Sequence, residues 1–433
     1  MAIDDITLQT LEHIEEAASE AINNPAQPEG ESDSLHEAQI ELSGAGTPLE
    51  ELGSYAGEQI NSEVIFAREG LNLTQKRPMT PQYARGLAEA ARFYRRALEG
   101  RVSMRQVQEV MMSSEFSVLL GDTLDRVLLA KYATYSPTYR RFLRGRTVRD
   151  FRAVGSVRRN TGGRLSPVPE GGDYRQEGLT EESFTYAVKK YGKGYPLTWE
   201  MIVNDDLDAF TSLPDDMADD AVQTEMYLAS SFYVANTILF AANHSHEGAT
   251  FSNKGTAPLS ITALKDAINA MLKFPGDKDK PLNNMPVFLV VPPTLQIEGA
   301  RILSSEFLIV SGGDATTGAL PVAQPSRTGV EGLLVLVVDP YIPVLDPVNG
   351  HTSWYLFSDP RRIHAAEYAF LRGYEQPQVF KRMANAMRLG GGQVEEDFDT
   401  DSIGYKVRHV FGGSHANAAG GWRAGYWSDG SGA

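Results

Sequence analysis

The sequence contains no cysteine. That absence excludes disulfides, thiolate metal sites and cysteine nucleophiles, and it fits folding in a reducing cytoplasm. There is no run of about 18 apolar residues, so no transmembrane helix is expected. The opening stretch, MAIDDITLQTLEHIEEAA, is acidic and amphipathic. It lacks the basic start and apolar centre of a secretory signal, which predicts a soluble protein made in the cytoplasm. Lys and Arg are missing altogether from residues 1–67, a segment that holds 15 Asp plus Glu.

What is present is unevenly placed. The chain has 433 residues, more than one average domain, and 42% of them are hydrophobic, enough for a sizeable core. The formal net charge is −16, and nearly all of it sits in residues 1–67. Residues 68–150 reverse the sign, with 16 Lys plus Arg against 8 acids. Most of those bases are arginines, among them Arg92, Arg95, Arg96, Arg101, Arg105, Arg140, Arg141, Arg144, Arg146 and Arg149. An acidic tail followed by a basic arm is the simplest description. The arm has three candidate partners, namely nucleic acid, neighbouring subunits and the acidic tail. Solvated helix faces are the plain alternative.

Periodicity sorts the rest into elements. Residues 1–22 read as a helix marked by Ile6, Leu8, Leu11, Ile14 and Ala18, broken by NNPAQPEG. Helical spacing returns from Pro81 through Leu98 and stops at Gly100. Ser103 then caps a second helix carrying Val107, Val110 and Met111 towards Leu129. From Thr147 the texture changes to TVRDFRAVGSVRR, a Gly/Pro-dense stretch, and ESFTYAVKKYGKGYPLT. In the last of these Phe184, Tyr186 and Val188 alternate with Thr185, Ala187 and Lys189. Two strands flanking a Gly/Pro tip predict a long hairpin, and an isolated two-stranded ribbon needs outside packing. Pro214 opens a helix expected to run to about Phe240, roughly 40 Å long. Residues 260–273 and 294–304 read as helices. VFLVV (287–291), LLVLVV (333–338), and residues 354–357, 366–370 and 405–411 read as strands. The fold class is therefore α+β.

Catalytic and metal chemistry is thin. NHSHEG places His244 and His246 at a spacing that can chelate on a strand, with Glu247 beside them, but no third ligand is identifiable. Gly312–Gly313 and the glycines at 390–392 lack the Lys-Ser/Thr of a nucleotide loop. GGSHA around Ser414 and His415 lacks the spacing of a nucleophile elbow. Asp205 and Asp206 suit a helix entry better than an acid–base pair. No cofactor is implied.

Several ordered motifs carry a resemblance. They are KKYGKGYPLTWEMIVNDDLDAF (189–210), LSITALKDAINAML (259–272), PLNNMPVFLVVPPTL (281–295) with ILSSE just after it, and YKVRHVFGG (405–413). In that order and spacing, over roughly residues 147–427, the sequence resembles the major capsid proteins of tailed bacteriophages, especially the Mu-type major head subunit. The resemblance implies a Hong Kong 97-like fold with an N-terminal arm, an extended β-hairpin loop, a peripheral domain with a long spine helix, and an axial domain. It maps an acidic, scaffolding-like extension to 1–67, the basic helical arm to 68–146 and the extended loop to 147–196. The peripheral domain with its spine helix (213–241) falls at 197–255 and the axial domain at 256–355. Return strands and the C-terminal tail fill 356–433.

The function so implied is a non-enzymatic shell subunit. Hexamers and pentamers of the chain form an icosahedral virion capsid around double-stranded DNA, held without sequence specificity and assembled in the bacterial cytoplasm. Portal, scaffolding and decoration or cement proteins are the further partners implied; a membrane is not. The extended loop crosses a neighbouring subunit in this family. This makes Arg158, Arg159, Arg164, Glu170, Tyr174, Phe184 and Tyr186 the inter-subunit contact candidates. Arg92, Arg95, Arg96, Arg140, Arg141 and Arg144 are the basic candidates of the arm. Lys189, Lys190 and Lys193 lie where some relatives crosslink. In some relatives a protease removes the N-terminal region; here residues 1–67 are expected to stay as an inward extension or to bind the basic arm. The alternative readings are an encapsulin-like compartment and a metal-dependent soluble enzyme using the His244 and His246 region.

Overall fold

A computed structural model of the chain describes residues 5–23, 80–103, 105–107, 114–160, 168, 170, 180–198, 200–201, 204, 210–246, 249–276, 282–304, 308–309, 323–324, 332–382, 402–417 and 420–432. In chain order the helices are α1 (Asp5–Asn23), α2 (Pro81–Leu98), α3 (Ser114–Thr134), α4 (Leu213–Ser231), α5 (Ile261–Leu272) and α6 (Gln296–Ser304). The first strands are β1 (Arg144–Val148), β2 (Val154–Asn160), β3 (Thr180–Tyr186), β4 (Val188–Thr198), β5 (His244–His246), β6 (Ala249–Phe251), β7 (Lys254–Gly255) and β8 (Pro286–Val291). They are followed by β9 (Leu308–Ile309), β10 (Ala323–Gln324), β11 (Val335–Val338), β12 (Trp354–Ser358), β13 (Ala366–Leu371), β14 (Gln378–Lys381), β15 (Ser402–His415) and β16 (Gly425–Ser428). The mixed α and β class expected from the sequence is what the chain adopts. Among the described residues no helix is long and apolar enough to cross a membrane.

The chain divides into two compact units. The first comprises 1–135, 192–221 and 376–408. Its helices α1, α2 and α3 pack on one another. Thr80 caps α2, its Oγ1 accepting from the Tyr83 N–H at 3.3 Å, and Pro81 follows where a missing N–H costs nothing. Gly100 ends that helix in the left-handed region (φ 68°). Ser103 and Gln106 exchange hydrogen bonds of 3.0 and 3.4 Å, the reciprocal cap expected at Ser103; Val110 and Met111, assigned to the same helix, lie outside the described residues. The apolar stripe of α2, with Ala84, Leu87, Ala91 and Tyr94 all buried, faces its neighbours. Leu11, Ile14 and Ala18 of α1 are buried as well. Tyr94 donates to the Thr211 carbonyl at 3.0 Å, and the Lys131 ammonium lies 2.9 Å from the Asp215 carboxylate.

The second unit comprises 136–191, 222–375 and 409–433. Its central sheet has the order β11-β8-β12-β16-β7. Both faces of this sheet are covered, which is why VFLVV and WYLF read as unbroken apolar runs. Leu289, Val291, Trp354 and Leu356 point to one side, into a cluster with Leu264, Ile268 and Met271 of α5 and Ile302 of α6. Val290, Tyr355 and Phe357 point to the other side, into an aromatic cluster with Phe142, Tyr233, Phe240 and Trp427. The two-residue period of a strand divides one hydrophobic run between two cores. Beside this sheet, β1 runs parallel to β13, and β13 runs antiparallel to β15. The glycines of the YKVRHVFGG motif sit in β15. A Cβ on Gly412 would stand 2.6 Å from the Ala187 carbonyl oxygen, and one on Gly413 would stand 2.6 Å from the Phe232 ring.

The long helix departs from expectation. It ends at Ser231, not near Phe240, and is about 28 Å long by the usual rise. Beyond it, Asn236 takes over the backbone. Its Oδ1 accepts from the Ile238 and Leu239 N–H groups, both at 3.0 Å, and its Nδ2 donates to the Phe232 carbonyl at 3.0 Å. Ala235 sits at φ 48°, its N–H donating to the Tyr355 hydroxyl. An asparagine that bonds nearby backbone in this way competes with the helical ladder.

Candidate functional site

The predicted hairpin forms. β2 and β3 pair antiparallel in the register Val154↔Tyr186, Ser156↔Phe184, Arg158↔Glu182 and Asn160↔Thr180. Arg158 and Arg159 thus stand opposite Glu182 and Glu181 along the ribbon. On the outward face Val157 is 54% exposed, and Phe151, in the turn before β2, is 52% exposed.

The root of the hairpin is held from below by one carboxylate. Glu367, fully buried on β13, accepts from the Ser156 hydroxyl of β2 at 3.0 Å and from the Tyr186 hydroxyl of β3 at 3.2 Å. His364 Nε2 lies 3.0 Å and Arg144 Nη1 3.5 Å from its Oε1. Burial pushes the Glu367 carboxyl up, but His364, Ser156 and Arg144 together outweigh it and hold the group below the usual glutamate range. The same burial, with the Glu367 charge beside it, pushes the Tyr186 phenol up to about 12. Phe184, Tyr186 and Val188 pack with Val148, Ala369, Leu371 and Val410 beneath the ribbon.

Glu225 and Asp339 are further buried acids of this unit. Glu225 on α4 accepts from the Tyr139 hydroxyl at 2.5 Å, with His409 Nε2 at 2.7 Å and Arg140 Nη2 at 3.4 Å. Asp339 accepts from Ser230 at 2.5 Å, from the Tyr233 hydroxyl, and from the Tyr341 N–H at 2.8 Å. Burial dominates at Asp339 and raises its carboxyl despite those donors. Glu225, Asp339 and Glu367 are each buried and join elements distant in sequence. Their chemistry is structural, a set of charged ties in a low-dielectric interior.

The expected contact residues separate into groups. Phe184 and Tyr186 are a correction. Their rings are buried within the chain's own unit (7% and 6% exposed), because the alternation that marks a strand turns them inward, so they do not offer surface to a neighbour. Glu170 is exposed. Arg158 and Arg159 lie on the ribbon, while Arg164 and Tyr174 lie outside the described residues. The arm candidates also divide. Arg92 and Arg95 meet acids of α1, with Arg92 Nε 3.7 Å from Glu15 and Arg95 Nη2 3.3 Å from Glu15 and 3.9 Å from Glu12. Arg96 is exposed over the Phe93 ring. Arg140 and Arg144 serve the buried acids just described, Arg140 also lying over the Phe370 ring, and Arg141 is exposed. Sequence reading missed Glu225, Glu367 and Asp339. A lone acid in an apolar run was the available signal, in EMYLASSF, AAEYAF and LVLVVDP.

The remaining candidates assemble no reactive set. His244 and His246 lie on a two-strand ribbon, where His244 stacks on Trp422 at 5.1 Å and His246 Nε2 is 3.3 Å from the Arg423 guanidinium. Burial lowers the His244 imidazole, and the cation beside His246 opposes a metal ion. Among the described residues no three His, Asp or Glu side chains group to hold a metal. Lys189 and Lys190 are exposed, and Lys193 lies 2.5 Å from Asp220. Ser414 lies opposite Glu367 in the β13–β15 ladder, and burial lowers the neighbouring His415 imidazole. Asp205, Asp206, Glu247, Gly312, Gly313 and residues 390–392 lie outside the described residues.

Comparison with known proteins supplies the missing context. No curated protein matches the chain. Among solved structures, one from Microbacterium phage Oxtober96 is similar with a TM-score of 0.40 and 10% identity, covering 68% of this chain and 90% of that one. The capsid structure of the cyanophage P-SCSP1u gives a TM-score of 0.38 and 10% identity, covering 66% and 85%. The mature capsid of bacteriophage PhiM1 gives 0.35 and 10%, covering 68% and 87%. A family model described as phage capsid protein matches residues 181–428, from the second strand of the hairpin to the last strand of the central sheet. With more than half of its length matched, the chain belongs to the phage capsid protein family.

Proposed function

We propose that the chain is the major head subunit of a tailed bacteriophage, with the Hong Kong 97-like architecture and nearest the Mu-type head proteins. In this reading its copies join as hexamers and pentamers and close an icosahedral shell around double-stranded DNA. Assembly takes place in the bacterial cytoplasm, with portal, scaffolding and decoration or cement proteins as further partners. The observation that carries the proposal is the family match over residues 181–428. The hairpin supports it. Its root is fixed by buried polar ties, while Val157 and Phe151 stay exposed, an arrangement suited to covering by a neighbour. In the same reading Arg158, Arg159, Arg164, Glu170 and Tyr174 of the extended loop meet the adjacent subunit, and many modest contacts add up to a closed particle.

Negative-stain microscopy of the full chain expressed alone and with the products of its neighbouring genes tests this. Uniform shells are expected in at least one preparation. A chain that stays monomeric in both overturns the proposal. DNA within particles recovered from infected cells separates a virion shell from a cargo compartment, and mass spectrometry of those particles tests whether residues 1–67 are retained.

A further inference from the structure

Inside the first unit, acids of α1 meet arginines of α2. On α2, Arg85, Arg92 and Arg96 are exposed and recur at seven and four residues, one stripe of the helix; Arg101 and Arg105 continue the exposed base beyond its end. Arg95 lies at the edge of that stripe and faces α1. The α1 acids reach it at distances typical of loose ion pairs, 3.3 Å from Glu15 and 3.9 Å from Glu12, and Arg92 stands 3.7 Å from Glu15. The Nε and Nη2 of Arg95 are buried yet make no hydrogen bond among the described residues, and neither does Glu15 Oε1. This is charge neutralised without being bonded, an incomplete match for a guanidinium that prefers a bidentate oxyanion. Beneath these charges Leu11, Ile14 and Ala18 of α1 are buried. Ala18 of α1 meets Ala84 and Ala88 of α2, with Ala21 and Ile22 alongside.

We infer that the arginine face of α2 is a polyanion site, that its ligand is double-stranded DNA, and that α1 is a built-in competitor occupying its edge until DNA arrives. The inference rests on the proposal that the chain encloses DNA, and it adds the place of contact and its control. Phosphates can meet Arg92, Arg95 and Arg96 in bidentate pairs, a geometry that Glu12 and Glu15 do not reach at these distances. With α1 docked, its carboxylates repel a phosphate backbone; with α1 displaced, the stripe gains Arg95 and loses that repulsion. The absence of Lys and Arg from α1 then follows, because a base there would weaken the competitor.

The full-length chain titrated against a short labelled duplex of arbitrary sequence tests this. Glu12→Gln with Glu15→Gln is expected to tighten binding about fivefold at low salt, the low end of coupling between competing sites. The gap should narrow as salt rises. Arg92→Gln with Arg96→Gln is expected to weaken binding and flatten the dependence of log K on log salt by about two. Ala18→Cys would be the chain's single thiol, and added duplex should speed its alkylation. Unchanged affinity in the glutamine pair, or a thiol that the duplex protects, overturns the inference. Flat DNA readouts in a chain that still builds shells sink this inference alone; failure to build shells sinks the proposed function instead.

Discussion

Glu367 is the residue on which the hairpin root converges. Its carboxyl is held below the ordinary range in the folded chain, so it contributes stability that is present above its unfolded value, about 4.3, and is lost as pH falls through the folded value. Acid unfolding of the unassembled chain followed by circular dichroism should therefore show a steeper loss of stability below about pH 4.5 in the native protein than in Glu367→Gln. Glu367→Ala is expected to cost about 3 kcal/mol at neutral pH, since it strands Ser156, Tyr186 and His364 in the interior. Tyr186→Phe removes one hydrogen bond and should cost about 1 kcal/mol by urea titration. A loss equal to that of Glu367→Ala would show that the hydroxyl, not the ring, carries the tie. The alternation of Phe184 and Tyr186 with Thr185 and Ala187 marks a strand, but whether that face is covered by the chain itself or by a neighbour is not written in it. Their partner was not legible either, because Glu367 lies 181 residues from Tyr186 and no local pattern links the two.

At the scale of elements, local signals placed most starts and stops. Thr80 with Pro81, Gly100, Ser103 and Ser260 act where capping chemistry put them, and Ser260 Oγ accepts from the Ala263 N–H at 3.2 Å. The end of α4 was not legible, since the apolar stripe continues through Ala235 and Leu239. Asn236 stops the helix only because Tyr355 and the aromatic cluster hold the turn in place. Asn236→Ala should cost about 1 kcal/mol in thermal unfolding by removing two side-chain-capped N–H groups. Gly413→Ala is expected to cost about 3 kcal/mol, because its methyl would meet the Phe232 ring and the Glu367 backbone. A neutral result there would mean that β15 can shift away from β13.

For the whole molecule, the family places the chain in a virus shell, where each surface is judged by assembly as well as by folding. Val157 and Phe151 separate the two demands. Both are exposed in the single chain, so Val157→Asp or Phe151→Asp should leave its unfolding midpoint within about 0.5 kcal/mol of the native value. In sedimentation the same variants should shift material from shells towards free subunits. Equal loss of folding and assembly would place these side chains in the chain's own core.

Composition and periodicity determined, with no structure, the α+β class, the hairpin, the strands of the central sheet and the division of charge between tail and arm. These properties are local or additive, and each is written within a few turns or one pleat of the chain. Only the tertiary structure decided which side of a continuous apolar run faces which core, which lone acids are buried ties, and that an acidic helix at the start of the chain lies on the arginines of α2. Those facts depend on contacts between residues far apart in sequence, where the free energy of burial and pairing is set by neighbours that no local pattern names.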